Sequence, residues 1–228
     1  KTKQRTKRGA VIKQSLGCYE VVSRNTTDRA LVMKKPRNRK TVINDGWIDY
    51  NGEKIEICNS SKFGIYKKIL LSFIEQLDTA IQIHGRVLVL RSDFHMNFYT
   101  SDNKIFSNYI KNIKQYLKRH YGITNIGYQW VREQEKAKKQ HYHFVLMLDG
   151  NKIRHPSKLN KIMKGKWLPR GHMHIPENCF YLIDKDNIEK QRPEAIYRAS
   201  YMAKSRGKQY RPKQTKDYSG SRLKGDKV

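Results

Sequence analysis

Two histidines separated by one residue open the run His141-Tyr142-His143-Phe144-Val145-Leu146-Met147-Leu148. On an extended chain, residues two apart share a face, so His141 and His143 point the same way, beside Val145 and Met147. Tyr142, Phe144, Leu146 and Leu148 fill the other face, which predicts a central strand buried on both sides. Residues 126–134 read as its partner, joined through the polar stretch Glu135–Lys139 as a hairpin. With the loop centred on Ala137, Glu133 lies across from His141, β-carbons about 4.5–5.5 Å apart. A carboxylate and two imidazoles at that separation suit one Mg²⁺ or Mn²⁺ and leave positions for water and a phosphate oxygen. Glu135 has the same parity and replaces Glu133 if the register moves by one pair; Glu133 is favoured. An H-x-H pair alone is more often two ordinary half-buried histidines, so the reading needs company.

The company is a pair of phenols. Residues 192–206 read RPEAIYRASYMAKSR, and a helix is predicted from about 193 to 205 with Pro193 and Glu194 in its first turn. Tyr197 and Tyr201 are then offset by ~40° and ~6 Å, and Lys204 returns to nearly the azimuth of Tyr197. The bland alternative is a tyrosine stripe packed on the core. A phenol is a poor nucleophile at its usual pKa of about 10 and becomes useful beside a cation or a metal-polarised phosphate. A second H-x-H, His172 and His174, lies between Pro169 and Pro176 and is expected in a bent segment without a metal role.

These groups need a frame. Apolar periodicity predicts helices at 62–83, 103–120 and near 157–165, with Gly85 and Gly122 as stops. Strands are predicted at 86–95, 126–134, 140–148 and 179–184. Consecutive strands joined by a short loop must be antiparallel. The fold class is therefore α+β, a mainly antiparallel central sheet with flanking helices, over residues 61–205. Residues 1–60 read as a basic, partly ordered extension and 206–228 as a basic flexible tail. No P-loop occurs, which argues against an NTPase.

The chain has 228 residues and a formal charge of +28. Residues 1–40 hold 13 Lys/Arg against Glu20 and Asp28, and 205–228 hold eight against Asp217 and Asp226. Such blocks contact phosphates without reading sequence, so a nucleic acid is the expected partner. No apolar run approaches the ~18 residues of a membrane span. Cys18, Cys58 and Cys179 are scattered, which fits a reducing compartment and argues against a disulfide framework.

Taken together, the upstream Glu, HYH and the later Y-x-x-x-Y-x-x-K resemble the HUH endonucleases that start rolling-circle DNA replication. WVREQEKAKKQHYHFVLML is similar to the two-tyrosine proteins of filamentous-phage and prophage type, and YRASYMAK to their tyrosine motif. The resemblance spans roughly residues 60–205 and implies a ferredoxin- or RRM-like core. It implies that Glu133, His141 and His143 bind one Mg²⁺ or Mn²⁺ that polarises a scissile phosphate. Tyr201 or Tyr197 would attack, leaving a 5′-phosphotyrosine and a free 3′-OH, with Lys204 assisting. RVLVLRSDFH fits the first family motif, and Arg91, Arg132 and Arg198 are candidate DNA contacts. The implied setting is a replication origin in single-stranded DNA, in the cytoplasm of a bacterial host that supplies helicase and polymerase. The rivals are a two-tyrosine transposase, a non-catalytic DNA- or RNA-binding module, and a zinc-stabilised fold using Cys58 or Cys179.

Overall fold

Runs of alternating apolar residues gather into one sheet in the computed structural model. The structure describes residues 41–59, 63–134, 139–208 and 211–225, together with the backbone of two short strands, β1 (Ile12–Ser15) and β2 (Cys18–Val21). These two pair antiparallel within a unit covering Lys1–Arg37. Of the expected extension over residues 1–60, the rest of 1–40 lies outside the described residues, whereas 41–59 are described.

The second unit, Asn38–Val228, begins with β3 (Val42–Ile43), β4 (Trp47–Tyr50), β5 (Glu53–Glu56) and β6 (Ile65–Tyr66). Then come α1 (Lys67–His84), β7 (Val87–Met96), α2 (Lys104–Tyr121), β8 (Gly127–Glu133), β9 (His141–Asp149) and α3 (Ser157–Trp167). A 3₁₀ turn at Leu168–Arg170 leads to β10 (Gly171–His174), β11 (Phe180–Ile183) and α4 (Ile188–Ser200), and a second 3₁₀ turn at Tyr201–Ala203 precedes β12 (Tyr218–Gly220). The main sheet runs β10-β7-β9-β8-β12, with β11 also on β7, and every pairing in it is antiparallel. The α+β class expected from the pattern is the one found.

Strand parity divides the core into two layers. Val87, Val89, Val131, Val145 and Met147 pack against α1 and α4, with Ile48 and Ile55 of the β4–β5 hairpin. Leu88, Leu90, Phe94, Trp130, Phe144, Leu146 and Leu148 pack against α2 and α3. Phe94 meets Phe106, Tyr109 and Trp167 at ring separations of 5.0–5.4 Å for its own pairs and the Tyr109–Trp167 pair. Truncating such an aromatic costs about 3–5 kcal/mol. Gly122 ends α2 in the left-handed region at φ 61°, its N–H bonded to the carbonyls of Leu117 and Lys118.

Three expectations are corrected. Residues 171–174 form edge strand β10 instead of a bend, because Gly171 lets the chain approach β7 so closely that a β-carbon there would overlap the His95 carbonyl. The last helix starts at Ile188, so Pro193 lies inside it, and it ends at Ser200 in a 3₁₀ turn. The expected flexible tail folds back: Arg132 N–H donates to the Asp217 carbonyl and β12 pairs with β8. Among the described residues no helix is long and apolar enough to cross a membrane.

Candidate metal centre and its phenol

On the α1/α4 face of the sheet, apolar residues give way to polar ones at the same level on neighbouring strands. On β9, Met147 and Val145 are followed by His143 and His141; on β7, Val89 is followed by Arg91, Asp93 and His95. The register places His143 beside Asp93 on one side and Val131 on the other, and His141 between His95 and Glu133. The predicted pairing of Glu133 with His141 is thus the one observed. Glu135 lies outside the described residues.

Glu133 Oε2 is 3.5 Å from His141 Nε2 and 3.3 Å from His143 Nε2. One ligand atom from each of the three residues falls within 4.8 Å of the others. Asp93 Oδ1, 2.7 Å from His143 Nδ1, fixes that ring so that Nε2 faces Glu133. His143 Nε2 is buried and lacks a hydrogen bond of good geometry, Glu133 standing at ion-pair distance only. A buried ring nitrogen left over beside a carboxylate and a second imidazole is a vacancy of bonding that a divalent cation satisfies. Glu133, His141 and His143 thus form a possible metal-binding group, whose donor set fits a divalent cation.

Sequence reasoning missed the other cation. The Lys208 side chain is fully enclosed, and its ammonium donates to Glu133 Oε1 at 2.6 Å and to the Lys204 carbonyl. Glu133 therefore turns one oxygen to the histidines and the other to a lysine. The preceding Gly207 carbonyl accepts from Gln134 N–H at 2.7 Å, which anchors this segment on β8. No local pattern announces Lys208; it reaches the site only because the chain after α4 returns.

The charges tune one another. Burial alone would raise Glu133, but the close imidazoles of His141 and His143 and the Lys208 ammonium hold it well below the usual carboxylate range. Burial would lower His143, yet Asp93 and Glu133 outweigh it and raise its pKa above 6.5. Asp93, despite burial, is held below its ordinary value by His143 and Arg91. Burial lowers Lys208 against the pull of Glu133. His95 is pushed down to about 4 by burial and by His141 and His172. Its ring stacks on His172 at 4.4 Å and on His141 at 5.2 Å, a row of three imidazoles across three strands. The second H-x-H is thus part of the same face.

Tyr201 is the phenol brought to the trio. Its ring meets His143 edge-on at 6.0 Å, with Lys204 Nζ 3.3 Å from its centroid and Arg91 Cζ 5.3 Å away. It is 38% exposed, so a polymer can reach it. Tyr197 lies against Cys58 and Glu56 instead, and Cys58 raises its pKa. α4 ends at Ser200 and the 3₁₀ turn runs from Tyr201 to Ala203, so Lys204 leaves the helix and the expected single row of Tyr197, Tyr201 and Lys204 is not formed. Lys204 instead bridges Ile65 of β6 while its ammonium covers Tyr201. Arg132 is also corrected: it is buried, and its guanidinium donates to the carbonyls of Thr100 and Asp102 and to Asn103 and Gln134. It holds the β7–α2 connection and is not open to an external partner. Arg91 and Arg198 stay beside Tyr201 and the end of α4.

The model of the YagK/YfjJ C-terminal domain matches residues 50–216, most of the chain and every residue of this site. The chain belongs to that family. A relative of this YagK/YfjJ C-terminal domain is the uncharacterized protein YfjJ of Escherichia coli (strain K12), 25% identical over 190 residues, covering 65% of this chain and 91% of YfjJ. No solved structure matches.

Proposed function

We propose that this YagK/YfjJ domain nicks and rejoins single-stranded DNA through a covalent bond to Tyr201. The observation carrying this reading is the placement of that exposed phenol against His143 of the Glu133/His141/His143 trio, beneath the Lys204 ammonium. When bound by the trio, Mg²⁺ or Mn²⁺ supplies Lewis-acid polarisation of a phosphate oxygen. Asp93 and Lys208 hold His143 and Glu133 in the orientation that serves it. Lys204 and Arg91 place positive charge beside the Tyr201 ring, where an incoming phosphate is drawn. As the Tyr201 Oη–phosphorus bond forms, the phenol proton passes to water, the bond from phosphorus to the 3′ oxygen breaks with its electron pair on that oxygen, and the oxygen takes a proton from water. The products are a 5′-phosphotyrosine and a 3′-OH that a polymerase extends, and return of the 3′-OH rejoins the strand. Tyr201 takes the first attack in this reading, because Tyr197 faces Cys58 and Glu56. The HUH resemblance supports initiation of rolling-circle replication as the setting; transposition differs only in the DNA target. The basic N-terminal stretch supplies affinity that falls steeply with salt.

The test is incubation with a random single-stranded DNA pool and Mn²⁺, followed by denaturing electrophoresis and mass spectrometry. The expected result is an adduct on Tyr201, lost in Tyr201→Phe and retained in Tyr197→Phe. DNA binding with no adduct in any condition leaves a non-catalytic binding module and overturns the proposal.

A further inference from the structure

A cleft of about 420 Å³ opens between β7, β11 and α4, and Arg91 in its lining also stands over the Tyr201 ring. Its floor is apolar, formed by Val145 and Ala199 among others, and two arginines, Arg91 and Arg198, stand at its wall. Tyr181 and Asn178 line both this cleft and a second hollow that continues along Arg198 to Tyr197. The volume lies in the range of small-molecule sites, about 300–1,000 Å³.

Arg91 is the unusual feature. Its Nε is buried and has no hydrogen-bond partner. Its other contacts are long, 3.4 Å to the Arg198 carbonyl and 3.5 Å to Asp93. A largely enclosed guanidinium with unmet donors, at the wall of a cleft and 5.3 Å from the Tyr201 ring, calls for an anion. The apolar floor and Tyr181 ask for something flat and unsaturated attached to that anion. A nucleotide has both parts.

We propose that this cleft is a nucleotide subsite, with the phosphate on Arg91 and Arg198 and the base against Tyr181. Nucleotide binding stands on the cleft alone; that the occupant adjoins the bond cut by Tyr201 rests on the nicking reading. The arginines position the strand, and the polar edge at Asn178 meets the base. Base stacking on an aromatic tolerates any sequence, so the subsite favours single strands, whose bases can be splayed out, over duplex.

Cys179 lines the cleft and is a free thiol, so it reports occupancy. The experiment uses the full chain in EDTA, where no cut occurs, with 5′-phosphorylated hexathymidylate as probe. Iodoacetamide labelling of Cys179 is followed by peptide mass spectrometry, with Cys58 as the internal reference. Saturating probe is expected to slow labelling of Cys179 at least about tenfold relative to Cys58. In anisotropy titrations, Arg198→Ala, an exposed position, should weaken the probe about tenfold, as loss of one charge-assisted hydrogen bond does. Unchanged labelling of Cys179 with the probe bound overturns the subsite, whatever Arg198→Ala does. Protection of Cys179 without any adduct in the Mn²⁺ assay keeps the subsite and removes the nickase. An adduct with no protection removes the subsite and keeps the nickase.

Discussion

Lys208→Met isolates the internal cation. The side chain is wholly enclosed, and its ammonium is 2.6 Å from Glu133, itself only 16% exposed. Removing one partner of a buried ion pair costs about 3–5 kcal/mol, because the other charge stays behind uncompensated. At about 2–4 °C per kcal/mol for a chain of this size, the metal-free variant should melt about 6–20 °C below the parent. Methionine keeps most of the volume, so cavity formation adds little. Mn²⁺ should then rescue the variant more than it stabilises the parent, since the ion meets a carboxylate no longer neutralised by lysine. At a concentration 100 times Kd that rescue is worth about 2.7 kcal/mol. Calorimetric melts with and without Mn²⁺ read both numbers, with exposed Lys213→Met as a control expected to move stability by less than about 0.5 kcal/mol. A Lys208→Met protein that melts with the parent, or one whose deficit Mn²⁺ leaves untouched, refutes the idea that lysine and metal share Glu133.

Glu133→Gln should weaken Mn²⁺ binding by more than about 100-fold and Asp93→Asn by about 10–100-fold, since the first removes a ligand and the second only orients one; electron paramagnetic titration separates them. The raised His143 pKa means that its contribution to stability is complete below 6.5 and is lost as pH rises through its raised value. Denaturant midpoints measured from about pH 6 to about pH 9 should therefore fall more steeply for the parent than for His143→Gln. Gly171→Ala places a β-carbon against the His95 carbonyl, so β10 must part from β7. Amide exchange of residues 171–174 should accelerate while β8 and β9 keep their protection.

The hairpin was legible because parity and a short loop leave few registers: Glu133 opposite His141 follows from counting along two apolar strands. The glycine stops at Gly85 and Gly122 were legible for a local reason, the conformational freedom each position needs. What escaped depends on contacts between distant segments. Strand β10 carries four residues between prolines, and its pairing is decided by the bare backbone of Gly171 against β7. Arg132 looked like a DNA contact by charge alone, yet its parity turns it into the α2 layer, where carbonyls of the β7–α2 connection await it. Lys208 had no periodic neighbours, so only tertiary structure reveals its partner. Tyr197 and Tyr201 were placed on one continuous helix because Ala199 to Ala203 contains nothing that forbids it; α4 in fact ends at Ser200, and after the 3₁₀ turn Lys204 pairs with the distant Ile65.

That returning segment also carries a timing consequence. Lys204 joins β6, Gly207 receives Gln134, Asp217 receives Arg132, and β12 closes on β8. A nascent chain emerging from the ribosome can therefore assemble the imidazoles and the carboxylate on their strands well before the enclosing lysine and last strand arrive. Synthesis halted just after the tyrosine turn would leave Glu133 without the Lys208 ammonium, so the finished site marks a chain translated through at least Lys208.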